Sequence, residues 1–147
     1  MRLLITLILF FGLSLDGFGQ AIHYNIKKIE FHTSPGDWEG CEFGFVIYPN
    51  RTVEYKADST YCKPILGKKQ TISQERYDSL MQMLDDNKFP EYKNRYGYGV
   101  DCGISTLTIN YNKGKTKKVT IICGDEPEDL KKILLLLYRL KETEHWK

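Results

Sequence analysis

The sequence predicts an α+β domain in which a single antiparallel sheet of about five strands carries two helices on one face, in the order β-β-β-α-β-β-α. Two pairs of segments with alternating apolar residues are joined by short turns, which is typical of antiparallel hairpins. Each pair is followed by a longer segment with apolar residues at helical spacing. The strand-helix-strand alternation of a parallel sheet is missing from this order.

The first strand is predicted from Ile26 to His32, because Ile29 and Phe31 are apolar at alternate positions. The adjacent residues Lys27 and Lys28 interrupt the alternation. This interruption indicates a β-bulge near the start of the strand.

The next two strands form the first hairpin around the turn Pro49-Asn50-Arg51. A three-residue turn places Ile47 opposite Val53 and Phe45 opposite Tyr55. A two-residue turn would set aromatic residues opposite polar ones and expose one set. We therefore expect the three-residue turn.

The first helix is predicted from about Ser73 to Asp86, where four residues have helical spacing: Tyr77, Leu80, Met81 and Leu84. Its start is either a capping box of Thr71 with Gln74 or a simple N-cap at Ser73. Pro90 disfavours helical geometry at the residue before it, so the helix must end earlier.

The second hairpin turns at Asn112-Lys113-Gly114, with Gly114 suited to the left-handed position of a three-residue loop. This turn brings the apolar residues of both strands to one face, namely Leu107, Ile109, Tyr111, Val119, Ile121 and Cys123. We expect both helices to pack on that face and on the matching residues of the first hairpin, which are Phe43, Phe45 and Ile47.

The last helix opens at Asp125 and Pro127, a cap residue and an early-turn residue. Its apolar stripe consists of Leu130, Ile133, Leu134, Leu137 and Leu140. Leu135 and Leu136 lie off this stripe, so the helix is apolar around most of its circumference. We expect them to be buried, the commoner arrangement, and the alternative is a patch through which a homodimer forms.

The composition is typical of a single globular domain, since 41% of the 147 residues are hydrophobic and 27% are charged. The 21 basic and 19 acidic side chains leave a formal charge of +2 with no concentrated basic block. A nucleic-acid partner or an acidic membrane surface is therefore not expected.

The N-terminus has the pattern of a secretory signal peptide. Arg2 precedes an apolar run from Leu3 to Leu15, and the polar Asp16 and small residues follow. The run is 13 residues long, whereas a membrane-spanning helix needs about 20. We expect cleavage before Gln20 or before Ile22.

This pattern divides the chain into a signal peptide, residues 1–19, and a single domain, residues 20–147. The first cysteine, Cys41, lies too far along the chain for lipid anchoring at the cleavage point. We therefore expect an exported protein, periplasmic or extracellular, with no membrane attachment after cleavage.

The four cysteines are Cys41, Cys62, Cys102 and Cys123, and an even number in an exported chain suggests two disulfides. Three pairings are possible. We predict Cys41 with Cys62 and Cys102 with Cys123, because each pair flanks the open end of one predicted hairpin. The spacings of 21, 40 and 21 residues lack the close ligand pairs of a zinc site, so no metal or other cofactor is expected.

Catalytic signatures are missing from the sequence, which contains no H-E-x-x-H, G-x-S-x-G or phosphate-binding-loop motif. Two of the three histidines, His23 and His145, lie near the ends of the mature chain. His32 is the candidate base of a small exported hydrolase, with Asp37 or Glu39 as its carboxylate, although a histidine at a strand end is more often structural. We expect a non-enzymatic protein.

The candidate binding surface lies in the segment from Tyr92 to Gly103, which is rich in glycine and tyrosine and is predicted to be a loop. Arg95, Tyr96 and Tyr98 belong to the residue types enriched at interaction hot spots. Alternatively, the two tyrosines cover a sheet edge. The hypothesis that follows is an exported binding protein of unknown ligand, one version being an inhibitor or immunity protein that blocks a periplasmic hydrolase or toxin.

The chain also resembles an uncharacterised family of small exported bacterial domains. That family is marked by a Cys-x-Gly-x-Cys-Pro strand start and a hairpin ending in Thr-Val-x-Tyr. The similarity covers about residues 26–146 and is carried by Gly40-Cys41, Thr52-Val53-Glu54-Tyr55, Ile72-Ser73, Phe89, Asp101, Pro127-Glu128-Asp129-Leu130 and Trp146.

The chain departs from the family pattern at three places. Asp37 stands in place of the first Cys, Glu42 replaces the Pro, and Asn50-Arg51 replaces the usual Asp-Gly. The resemblance implies an exported α+β domain and no known activity.

Overall fold

The structure, a computed structural model, describes residues 23–36, 42–56 and 67–143. The predicted signal peptide, residues 1–19, and Trp146 of the family pattern lie outside the described residues. None of the helices that the structure describes combines the length and the apolar character needed to cross a membrane.

Strands dominate the described part of the chain and form one seven-stranded sheet with the spatial order β4-β3-β2-β1-β6-β7-β5. All neighbouring strands are antiparallel except β5 and β7, which are parallel. The strands are β1 (Ile26–Ser34), β2 (Phe43–Ile47), β3 (Thr52–Tyr55), β4 (Lys69–Thr71), β5 (Arg95–Tyr96), β6 (Ile104–Tyr111) and β7 (Lys115–Ile122). The helices are α1 (Gln74–Asp86), a short 3-10 turn (Phe89–Glu91) and α2 (Glu128–Thr143).

The predicted five-stranded antiparallel sheet is therefore wrong. The sheet is mixed, and the chain order is β-β-β-β-α-β-β-β-α. The two strands that the sequence analysis missed, β4 and β5, are the sheet edges and contain three and two residues. Strands this short have no apolar alternation, because backbone hydrogen bonds to one neighbour define them. The α+β class and the two helices remain.

β1 lies at the centre of the sheet, between β2 and β6. Its pairing with β6 shifts register between Ile26 and Lys28, which confirms the predicted bulge. The strand continues to Ser34, two residues beyond the predicted end at His32.

Both predicted hairpin registers are confirmed. Phe45 pairs with Tyr55 and Ile47 with Val53, and Leu107 pairs with Val119. Tyr111 pairs with Lys115, which leaves a three-residue turn.

Gly114 in that turn has φ of 81°, the left-handed conformation expected of it. In both hairpins, the three-residue turn is the length that places the apolar residues of the two strands on the same face of the sheet.

Helix α1 begins at the simple N-cap, not at a capping box. The Ser73 hydroxyl accepts a hydrogen bond of 3.3 Å from the backbone N–H of Arg76. The helix ends at Asp86 with Asn87 as its C-cap, ahead of the proline as predicted. Its buried residues, Leu80 and Leu84, contact the common core.

The core unites the two helices with one face of the sheet. The predicted α2 stripe, consisting of Leu130, Ile133, Leu134, Leu137 and Leu140, is buried throughout. Leu136 packs partly against this core, whereas Leu135 is 47% exposed. The expectation that both would be buried is therefore wrong for Leu135, which lies on the outer side of α2. A single exposed leucine is normal on a protein surface, so its exposure is no evidence of an interface. Homodimerisation therefore stays a prediction.

The segment after α1 is tied to α2 by a polar contact. The Tyr92 hydroxyl donates a hydrogen bond of 2.7 Å to Oδ2 of Asp129. Burial first, and this hydrogen bond second, raise the pKa of Tyr92 above its usual range. The same hydrogen bond lowers the pKa of Asp129.

Replacement of Leu137 by Ala tests the buried stripe of α2. We expect a loss of about 2 to 5 kcal/mol in the free energy of unfolding, because the side chain is fully buried and leaves a cavity. The matched control is Leu135→Ala on the same helix, which should change stability by less than about 0.5 kcal/mol. Urea unfolding measures both variants, and equal losses would contradict the described orientation of α2.

Replacement of Tyr92 by Phe tests the contact with Asp129. In the wild type, stability should fall above about pH 10, because the unfolded phenol ionises there while the folded one stays protonated. It should also fall in acid, as the lowered pKa of Asp129 is reached. Tyr92→Phe should flatten both slopes and lose about 1 kcal/mol at neutral pH. Urea unfolding across pH measures this, with Tyr98→Phe as the exposed control.

Candidate functional site

A disulfide closes one end of the sheet. Cys102 and Cys123 are bonded, with 5.2 Å between their Cα atoms, as predicted. The register of β6 and β7 pairs Ile104 with Ile122, so the two cysteines lie just beyond the last pair of the ladder. Cys41 and Cys62 lie outside the described residues, and their pairing stays a prediction.

The segment 97–101, called here the Tyr98 loop, lies against this disulfide. A Cβ atom at Gly99 would come within 2.6 Å of Sγ of Cys123 and 2.9 Å of Sγ of Cys102. Only glycine permits so close an approach, and its φ of 153° also favours glycine. The Tyr98 carbonyl oxygen lies 3.4 Å from Sγ of Cys123. The loop is therefore held in place by close packing on the disulfide.

The Tyr98 loop exposes two large hydrophobic side chains. Tyr98 is 86% exposed and Val100 is 92% exposed. These are the highest exposures among the large hydrophobic residues that the structure describes as exposed. Two neighbouring apolar side chains on an anchored loop are typical of an interaction surface.

The structure separates the three residues of the predicted binding surface. Tyr96 belongs to β5, packs against the core and accepts a hydrogen bond of 3.1 Å from the Lys93 backbone N–H. β5 is an edge of the sheet, so Tyr96 forms part of that edge. Arg95 is exposed and lies in the same short strand as Tyr96, where it pairs with Thr120 of β7. This segment is therefore a strand and not the predicted loop. Only Tyr98 lies on the loop.

Val100 was missed by the sequence analysis. Its indication in the sequence is that Val100 is apolar, although it lies in a glycine-rich segment without the apolar periodicity that would predict a core position.

A pocket of about 430 Å³ lies at the same end of the sheet. It is bounded by the ends of β1, β6 and β7, by the disulfide and by α2. Its apolar lining residues are Pro35, Ile121, Leu134 and the disulfide, and its lining residues with polar side chains are Thr33, Ser34, Ser105, Glu126 and Tyr138.

Three of these hydroxyls form a closed cluster. Ser105 and Tyr138 share a hydrogen bond of 2.7 Å, and Ser105 donates to Thr33 at 3.3 Å. Thr33 and Tyr138 are also 3.3 Å apart. Thr33 is buried and pairs directly with Ser105 across β1 and β6.

This cluster was not predicted from the sequence. Its indication in the sequence is a polar residue at a core-facing position of each strand, Thr33 in β1 and Ser105 in β6. The pairing of these two strands was not predicted.

Glu126 lies in the connection between β7 and α2. Its Oε2 atom is buried and has no hydrogen-bond partner among the described residues. Of the described residues that line the pocket, Glu126 is the one with a formal charge at neutral pH. The described residues contain no group of three or more metal-ligating side chains.

A model for a protein domain family, described as a domain of unknown function (DUF6438), matches residues 27–141. The chain belongs to the DUF6438 family. The match agrees with the predicted membership of an uncharacterised family, and it spans the disulfide, the Tyr98 loop and the pocket. No curated protein matches the chain.

In this DUF6438 domain His32 lies on the sheet face opposite the core. Its Nε2 atom is 2.7 Å from Oε1 of Glu42, and both side chains are substantially exposed. Asp37 and Glu39, the carboxylates predicted to act with it, lie outside the described residues. Since His32 and its neighbour Thr33 point to opposite faces of β1, the His32 pair and the pocket are separate features.

Proposed function

We propose that this DUF6438 domain is an exported, non-enzymatic binding protein that contacts a protein partner through the Tyr98 loop. The observation that carries the proposal is the exposure of Tyr98 and Val100, 86% and 92%, on a loop packed against a disulfide. Neither side chain belongs to the core that the structure describes.

The anchoring of the loop supports this function. Binding is weakened when a flexible loop must be ordered on contact, and that entropic penalty is smaller for a loop already held in place. Close packing of Gly99 on both sulfur atoms provides such pre-organisation. Tyrosine adds a large amphipathic contact surface with few rotatable bonds.

The disulfide supports export, since disulfides persist in oxidising compartments. Together with the signal-like N-terminus, it favours a periplasmic or extracellular location. Within that setting, the version we favour is an inhibitor or immunity protein, because such a protein needs a rigid scaffold and a shaped surface but no catalytic group.

Site-specific photo-crosslinking tests the Tyr98 loop. The full chain carries a benzophenone amino acid at position 98 and is expressed in its native host. We expect it to capture one defined protein. The matched control carries the same group at Lys113, an exposed residue in the β6–β7 turn at the other end of these strands. Identical adducts at both positions would refute the loop as the contact surface.

The affinity of the captured partner then provides the quantitative measurement. Tyr98→Ala should weaken binding by about 30-fold, equivalent to about 2 kcal/mol at a hot spot. Val100→Ser should also weaken it, whereas Lys113→Ala should not. Unchanged affinity in the Tyr98→Ala variant would refute the proposal that the Tyr98 loop contacts the partner. Capture of a hydrolase or toxin that loses activity in the complex would support the inhibitor version.

The second candidate is a small exported hydrolase, favoured by the hydrogen bond between His32 and Glu42. A carboxylate that orients an imidazole is a common arrangement for a general base. Among the described residues, however, the hydrogen bond of this ring goes to Glu42 and not to a nucleophile.

The His32→Ala variant separates the two candidates. We expect no hydrolysis of ester, glycoside or phosphate substrates by the wild type above buffer, and unchanged partner affinity in the variant. The hydrolase hypothesis requires the opposite result, namely wild-type turnover that falls by about 100-fold or more in His32→Ala. The Gln82→Ala variant, which is changed at an exposed position of α1, controls for differences in protein handling and purity.

A further inference from the structure

We propose that the pocket beside the disulfide binds a primary ammonium group carried on a short apolar chain. The chemistry is that of a lysine side chain or of a free alkylamine. This site goes beyond the proposed function, because Tyr98 and Val100 are not among the described residues that line the pocket.

The charge of the pocket lining favours a cation. Oε2 of Glu126 is buried without a hydrogen-bond partner, and a carboxylate oxygen left in that state is unfavourable. No basic side chain is among the described residues that line the pocket. A cationic ligand in the pocket would supply the countercharge that Glu126 lacks among these lining residues.

The hydrogen-bonding capacity of the pocket favours a ligand that donates hydrogen bonds. Thr33, Ser105 and Tyr138 form a closed cluster in which each hydroxyl can donate once and accept once. Each oxygen then keeps one lone pair. An ammonium group has three N–H donors and no acceptor, so it matches a pocket that presents hydroxyl oxygens and a carboxylate.

The size and walls of the pocket favour an alkyl chain attached to the charged group. The pocket volume of about 430 Å³ falls in the range of small-molecule sites. Ile121, Leu134 and the disulfide provide apolar walls for an alkyl stem, while the polar side chains are Glu126 and the four hydroxyl residues. Mixed walls of this kind fit a chain with one charged end better than a compact inorganic cation.

Nuclear magnetic resonance titration of the full mature chain tests the site. The probes are n-butylammonium and Nα-acetyl-lysine methylamide, and the neutral control is n-butanol. We expect both cations to shift the backbone amide signals of Ser105 and Gly124 in a saturable way, and n-butanol to shift them far less. Tighter binding of the lysine derivative identifies a protein side chain as the source, and tighter binding of butylammonium identifies a free amine.

Two charge-matched variants assign the effect. Glu126→Gln should weaken binding of n-butylammonium by about tenfold or more, because a charge-assisted hydrogen bond is lost. Glu128→Gln removes the same charge two residues later, at an exposed position, and should leave the affinity unchanged. Equal weakening in both variants would overturn the proposal, because it would indicate a nonspecific effect of net charge.

A further variant keeps the test valid if Glu126→Gln does not fold. Tyr138→Phe retains the ring that packs 5.2 Å from Phe31, measured between centroids, and removes only the hydroxyl. It should weaken n-butylammonium binding by about threefold or more. An absence of saturable shifts in the wild type, or equal affinity for n-butanol, would overturn the proposal. Neither result would affect the Tyr98 loop, whose partner is measured separately.

Discussion

The disulfide between Cys102 and Cys123 is the constraint on which the candidate functional features depend. It closes the open end of the β6–β7 hairpin and links two strands that are already paired. Gly99 packs on its sulfur atoms, and the sulfurs form part of the pocket wall. A surface loop and a pocket therefore share one covalent support, and reduction would be expected to loosen both.

The pocket exists because polar residues occupy core-facing positions at the end of the sheet. Thr33 and Ser105 face the same side as Phe31 and Leu107, which are fully buried. Their hydroxyls are satisfied by each other and by Tyr138, so the polar cluster is compatible with a packed interior. Glu126 differs from them, because its buried oxygen has no such partner in the described structure.

Much of the central fold was predictable from short-range patterns. The registers of both hairpins followed from apolar alternation, because a slip of one residue would expose the whole apolar set. The Ser73 cap and the buried stripe of α2 followed from helical spacing and cap chemistry. The edge strands β4 and β5 could not be predicted, because they are too short to show a period.

The candidate site was predictable only in part. Tyr98 was identified from residue type, whereas Tyr96, of the same type and two residues away, turned out to pack on the core. Residue type cannot separate them, since β5 ends between them and only the contact with β7 decides which ring is covered. The pocket was not predictable, because it joins residues from β1, β6, β7 and α2 whose proximity depends on long-range pairing.

By itself, the sequence determined the α+β class, the two hairpins and the two helices, and it predicted the Cys102–Cys123 pairing from the position of both cysteines at the open end of one hairpin. These features depend on contacts between residues close in the chain, and apolar periodicity records such contacts directly. Only the tertiary structure decided that β1 lies at the centre of the sheet, that β5 joins its edge in parallel, and that Glu126 and the hydroxyl cluster line one pocket. Those features depend on contacts between strands and helices that are far apart in the sequence. Local apolar patterns do not indicate which of these elements pair or in which register.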